Sequence, residues 1–170
     1  MTPIWFFIVC EISLIACGVV SGVLLTFSDF LMRSLDRART AAGVEVMQVI
    51  NREVFRSVFM FLFLGMSALS PFLIGYASFR VAGFASAWII AGGAIYLVGV
   101  FAVTLVFNVP MNNRLAAMEY SGTEAANYWT NTYRPQWTFW NYVRVLASAG
   151  SAICYLAAVV WLAQGTIATG

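Results

Sequence analysis

Four apolar runs, each long enough to cross a lipid bilayer, leave this chain very few folds to choose from. They lie at about residues 4–25, 54–76, 84–107 and 142–163. A helix rising about 1.5 Å per residue needs roughly 20 residues to span the hydrocarbon core. Inside lipid no water satisfies backbone N–H and C=O groups, so such runs form helices that pack as a bundle. The composition agrees, with 62% hydrophobic and 9% charged residues over 170 positions, well outside the range of soluble domains. The expected fold is all-α: one integral membrane domain, residues 1–170, built as a four-transmembrane-helix bundle with an interfacial amphipathic helix in its first loop. The first run has no basic segment before it and no small-residue cleavage pattern, so it is expected to remain attached as a helix.

The chain has no histidine, and all nine of its basic residues are arginine. That removes His-dependent triads, His-ligated haem, zinc or copper and imidazole proton shuttles. Cys10, Cys17 and Cys154 are scattered through apolar runs, where thiols stay protonated and behave as small core residues. A net charge of +2 without a basic tract points to no nucleic-acid partner.

In the first run Gly18-Val19-Val20-Ser21-Gly22 has the spacing that lets a second helix approach closely. Glu11 shares the face of positions 15, 18 and 22, so its carboxyl is expected to point into the bundle. Residues 26–53 are polar and of mixed charge, then carry a Val44, Met47, Ile50 stripe that predicts the amphipathic helix. Pro71 is expected to kink or loosen the second span. The link 77–83 is short, making spans two and three antiparallel neighbours. The third span runs into Asn108-Val109-Pro110-Met111-Asn112-Asn113, where proline is expected to end the helix. A loop of some thirty residues, about 111–141, is expected to come next. It is rich in aromatics, and Tyr128 and Trp129 read as members of an interfacial belt.

Four spans place both termini on one side of the membrane and loops one and three on the other. Eight of the nine arginines gather at the second side and only Arg80 at the first, so the termini are expected outside and the loops in the cytoplasm. The expected site is the inner membrane of a bacterium.

Four helix ends then meet at one membrane face: Ser28 and Asp29, Asn51 with Arg52 and Glu53, Asn108 with Asn112, and Trp137 with Asn141 and Arg144. The last three are spaced i, i+4, i+7 and share a helix face. Trp137 can floor a cavity walled by amides and a guanidinium, while two helix N-termini aim positive dipole ends at it. Asn51 and Arg52 add polar wall. Arg144 sits between Val143 and Val145 and needs a partner: an asparagine carbonyl, Asp29 or Glu53, or a ligand. Such a pocket suits a planar, electron-rich or anionic organic molecule. Glu11, about 22 Å along the helix from Thr26, is too far away to join it.

The ordered set Phe27-Ser28-Asp29-Phe30 with Met32, Ile50-Asn51-Arg52, Thr104 through Asn112, and Trp137-x-x-x-Asn141-x-x-Arg144 resembles the DUF1772, or anthrone oxygenase, family of small four-helix membrane proteins. The resemblance implies oxidation of polyketide anthrones to anthraquinones with molecular oxygen, without metal, flavin or haem. The partners implied are a hydrophobic aromatic small molecule, oxygen and membrane lipid. On that reading Arg144 would stabilise the developing oxyanion and Asn108, Asn112 and Asn141 would supply amide hydrogen bonds. Trp137 would stack on the substrate, and Asp29 or Glu53 would serve as base. The competing expectation is a non-catalytic protein, either a binder of lipid or quinone or a small subunit of a larger membrane complex. Gly18 and Gly22 leave room for a homo-oligomer. A solute transporter ranks last, since no inverted repeat is visible.

Overall fold

The computed structural model describes residues 3–167, and they are helical almost throughout. Four helices are long and apolar enough to cross a membrane among the described residues: α1 (Ile4–Arg37), α3 (Val58–Arg80), α4 (Phe84–Ala116) and α5 (Thr123–Gln164). The amphipathic helix of the first loop is α2 (Thr40–Glu53). The bundle is therefore the expected one, but α1, α4 and α5 run far past the expected membrane boundary and build a cap at one end.

Small residues set the packing around α5. A Cβ on Gly99 would lie 2.4 Å from the Cβ of Ala147, so only glycine lets α4 approach α5 there. Serines then tie the helices together: Ser21 donates to Val145 O at 3.1 Å, Ser148 to Cys17 O at 2.8 Å and Ser151 to Gly92 O at 2.7 Å. In the absence of water each hydroxyl must find an acceptor, and these find a neighbouring backbone. Gly83, at φ 73°, makes the tight turn from α3 to α4.

These same bonds decide which face of α1 turns inward. Phe6, Cys10, Cys17, Val20, Ser21 and Leu24 are buried, whereas Glu11, Ile15, Gly18 and Gly22 are exposed on the outer surface. The expectation that Glu11 points into the bundle is thus corrected. Both faces carry small residues, and the one whose Ser21 and Cys17 meet the bonding groups of α5 is the one buried.

Pro110 does not end the third span. Wide π turns at Tyr96–Ala102 and Thr104–Asn108 precede it. The Val109 N–H reaches back five residues to Thr104 O, so Pro110 falls in the first turn of a fresh α-helical register, where no N–H is required. The same device recurs in α5: a π turn at Trp129–Tyr133, an Arg134 N–H bonded to Trp129 O, and Pro135 next. The expected thirty-residue loop is consequently two helical arms joined by a short turn. Pro71 also sits within an unbroken α3.

The arms carry a second apolar core, separate from that of the spans. Met32, Leu35, Val44, Met47, Leu115, Trp129 and Tyr133 pack together in it. The α2 stripe therefore meets protein. Tyr128 and Trp129, 7% and 1% exposed, are core residues rather than the interfacial belt expected from sequence, because the extended arms fold over them.

Candidate functional site

Between the span core and the cap lies a cavity of about 820 Å³, within the size range of small-molecule sites. Its walls are apolar and aromatic, with Phe59, Phe63 and Phe101 prominent, and its polar groups converge from α2, α4 and α5. Three π turns border it: Phe27, Phe101, Thr104 and Asn108 all belong to such turns and line the space. A π turn inserts an extra residue and re-aims the side chains around it, which is why such turns concentrate at functional sites.

Arg144 stands at the base of the cavity, 6% exposed. It donates to Thr104 Oγ1 at 3.1 Å and to Asn141 Oδ1, and its guanidinium carbon lies 5.6 Å from the Trp137 ring centroid. All of these partners are neutral. The ion pairs among the described residues are Arg33–Asp29 and Arg134–Asp36, so this buried cation has no carboxylate. Its Nε, like Asn108 Oδ1 of the same cavity wall, is buried without a hydrogen-bond partner. A buried charge with spare donor capacity favours an incoming anion or polar oxygen.

Asn108, 1% exposed, donates from its amide nitrogen to Trp137 O at 3.4 Å. That bond fixes the amide so that its oxygen remains the free acceptor. Asn112 Oδ1 accepts from Trp137 Nε1 at 2.9 Å and from Tyr133 Oη at 2.8 Å. Tyr133 in turn accepts from Asn51 Nδ2 at 3.4 Å. With the oxygen of Asn112 held twice, the amide N–H groups are the donors this cavity-lining residue has left. Trp137, 5% exposed, is the ring expected from sequence, clamped by that bond and by Phe27 at 6.0 Å.

Of the residues named from sequence, Asn51, Arg52, Glu53, Asn108, Asn112, Trp137 and Arg144 line the cavity, and Asn141 and Asp29 do not. Asn141 is fully buried behind Arg144, donating to Leu24 O at 2.7 Å and Ser28 Oγ at 2.6 Å. It holds the guanidinium and does not line the cavity. Asp29 lies on the outer surface, 61% exposed, paired with Arg33 at 3.1 Å one turn on. Its neighbour Ser28 is the residue on the inward face, so Asp29 is removed from the site and Glu53 is the carboxylate that remains.

Thr104, Tyr133 and Gln48 were missed as site residues. Thr104 lies four residues before Asn108 and supplies the neutral partner that Arg144 required. Gln48 lies three residues before Asn51, and its amide donates to Leu115 O at 2.8 Å and Met118 O at 3.0 Å, pinning α2 to the arm of α4. Trp129, Tyr133 and Trp137 succeed one another at intervals of four, a helical spacing that placed Tyr133 above Trp137.

These features define a class: a helical membrane protein with an aromatic-floored, amide-lined cavity at one end of its bundle and a buried guanidinium in it. The family profile described as anthrone oxygenase matches residues 53–154, which include α3, α4, the arms and most of α5. The chain belongs to the anthrone oxygenase family. Comparison with curated proteins and with solved structures finds no match.

Proposed function

We propose that the protein is a cofactor-independent oxygenase that binds a flat, hydroxylated aromatic of the anthrone type and oxidises it with molecular oxygen. The observation that carries this reading is Arg144, a buried cation with neutral partners and an unpartnered Nε beside the aromatic floor. An anthrone loses a proton from its central methylene to give a phenolate-like anion, and Arg144 lowers the energy of that anion. Glu53, the carboxylate on the cavity wall, accepts the proton. The electron-rich anion reduces oxygen and forms a carbon–oxygen bond at the same carbon, giving a hydroperoxide. Loss of the remaining C–H proton and cleavage of the O–O bond release water and leave the ketone. The balance is one methylene plus one O₂ to one carbonyl plus one water, with no outside reductant. Asn108, Asn112 and Trp137 orient the rings, while Asn51 and Arg52 line the outer part of the space.

The accessory-subunit reading calls for a cleft filled by the protein's own side chains, and the open cavity speaks against it. We place the chain in a bacterial inner membrane with the termini outside and the arginine-rich cap in the cytoplasm, on the strength of the arginine distribution. The test of the proposed reaction is oxygen uptake and quinone formation from emodin anthrone by the protein in nanodiscs, with autoxidation subtracted. Rates above background that fall to background in Arg144→Ala and drop steeply in Glu53→Gln are expected. Wild type indistinguishable from a protein-free control refutes the oxygenase reading and leaves non-catalytic binding of a quinone or lipid.

A further inference from the structure

The cavity has two mouths of opposite character. Leu64 and Leu105 line it and are also 51% and 51% exposed on the outside of the bundle. Leu64 lies about 9 Å into the α3 span, at 1.5 Å per residue from Val58. Around these lips the outward residues are Phe61, Val98 and Val106, each more than half exposed and apolar, as a lipid-facing surface is. Level with Leu64, Tyr96 Oη from α4 donates to Phe63 O at 3.2 Å, and deeper in the bundle a Cβ on Gly93 would meet Ile74 at 2.8 Å, so the two helices are closed together below the lips. At the other mouth, Arg52, Glu53, Asn113 and Ala116 line the cavity and are exposed among the polar residues of the cap.

We propose that the aromatic ligand reaches the cavity from the hydrocarbon of the bilayer, between α3 and α4 past Leu64 and Leu105, while the mouth at Glu53 serves for protons and water. This rests on the reading that a flat aromatic is the ligand and adds its route and its charge state on arrival. A phenolic polycycle dissolves in hydrocarbon only when neutral, because an unpaired anion there is costly. It therefore passes the leucines protonated and ionises only beside Arg144. The proton moves to the Glu53 carboxylate and on to water at the polar mouth, so no charge crosses the apolar lips.

The route is tested by stopped-flow binding of emodin, a redox-stable probe, to the protein in nanodiscs, monitored by the change in the probe's visible absorbance. Equilibrium affinity is blind to route, so the association rate is the readout. The pair Leu64→Trp/Leu105→Trp is expected to slow association by about tenfold or more with Kd altered less than about twofold, as for a path narrowed without change to the bound state. Ala116→Trp, at the polar mouth, is expected to leave the rate within about twofold. A sulfonated anthraquinone, which does not enter hydrocarbon, is expected to associate far more slowly than emodin. Slowing by Ala116→Trp and not by the leucine pair, or equal rates for the sulfonated probe, overturns the proposal. Should the tryptophan pair fail to fold, Leu64→Ala/Leu105→Ala decides: faster association supports the route and an unchanged rate overturns it. Emodin that binds by this route without anthrone turnover refutes the oxygenase reading alone, whereas the wrong mouth refutes the route alone.

Discussion

Arg144→Met separates a cation kept for a ligand from a cation that holds the bundle together. The guanidinium is buried against Thr104 and Asn141 and has no carboxylate. Replacing it by an apolar side chain of similar length removes a desolvation cost of several kcal/mol. Against this, Asn141 Oδ1 loses its donor, a cost of about 1–3 kcal/mol. Thr104 keeps its bond to Val100 O at 2.7 Å and loses little. The sum is near zero or slightly stabilising. Asn141→Ala is the contrasting change: it takes one donor from Leu24 O, which keeps the Phe27 N–H, one from Ser28 Oγ, and the acceptor from one arm of the guanidinium, for about 2–4 kcal/mol lost. At roughly 2–4 °C per kcal/mol for a chain of this size, Arg144→Met is expected to melt within a few degrees of wild type and Asn141→Ala some 5–15 °C below it. Buried Cys10 and Cys17 make a thiol-reactive dye a suitable reporter of unfolding. Binding should obey the opposite order of cause. Losing a buried charge-assisted contact to an anionic ligand costs about 2–4 kcal/mol, or roughly 30- to 1,000-fold in Kd for emodin under conditions where it binds as the anion. An Arg144→Met protein that melts as low as Asn141→Ala, or binds emodin as wild type does, refutes the assignment of Arg144 to the ligand.

Glu53→Gln is expected to lower the anthrone oxidation rate by about 10²–10⁴-fold with emodin affinity little changed, while Asp29→Asn, on the outer surface, leaves turnover unaltered; steady-state oxygen uptake compares the two. Tyr133→Phe removes one of the two donors to Asn112 Oδ1, and a loss of about 0.5–1.5 kcal/mol in emodin binding, read by titration, is expected. Gly99→Val forces α4 away from Ala147 and is expected to lower the melting temperature by the equivalent of about 1–3 kcal/mol. Deleting Val106, a lipid-facing residue in the Thr104–Asn108 turn, turns the arm beyond it by about 100°; emodin binding should vanish while Val106→Ala binds normally.

The features legible in the sequence divide from the illegible ones along physical lines. Span number, the α2 stripe and the grouping of Trp137, Asn141 and Arg144 come from hydropathy and helical spacing, which are local and strong. The choice of inward face on α1 does not, because Gly18 and Gly22 look as suited to packing as Cys17 and Ser21. It is settled by Val145, Ser148 and Ser151, more than a hundred residues away. Asp29 was misplaced for a related reason. Along a helix adjacent residues point about 100° apart, and Ser28, not Asp29, faces Asn141. A one-residue error in phase exchanges a buried hydroxyl for a surface ion pair.

The prolines show why the arms were invisible. A proline after a long apolar run reads as a helix end, since its missing N–H breaks an i→i−4 ladder. Here the ladder has already changed step when proline arrives: Val109 and Arg134 bond five residues back, so Pro110 and Pro135 each enter a first turn that demands no donor. The wider turn leaves a helix long enough to rise out of the bilayer and form the cap, and it rotates the residues on its far side. In α4 that rotation carries Asn112 under the Trp137 and Tyr133 donors. In α5 it brings Tyr133 and Trp137 into line beneath Trp129, with successive rings 5.5 and 6.2 Å apart. Helix extension, amide placement and aromatic floor thus have a common origin in two π turns. The α4 turn borders the cavity, and an unbroken α-helical register through Thr104–Asn108 would rotate Asn112 away from the two donors that hold it.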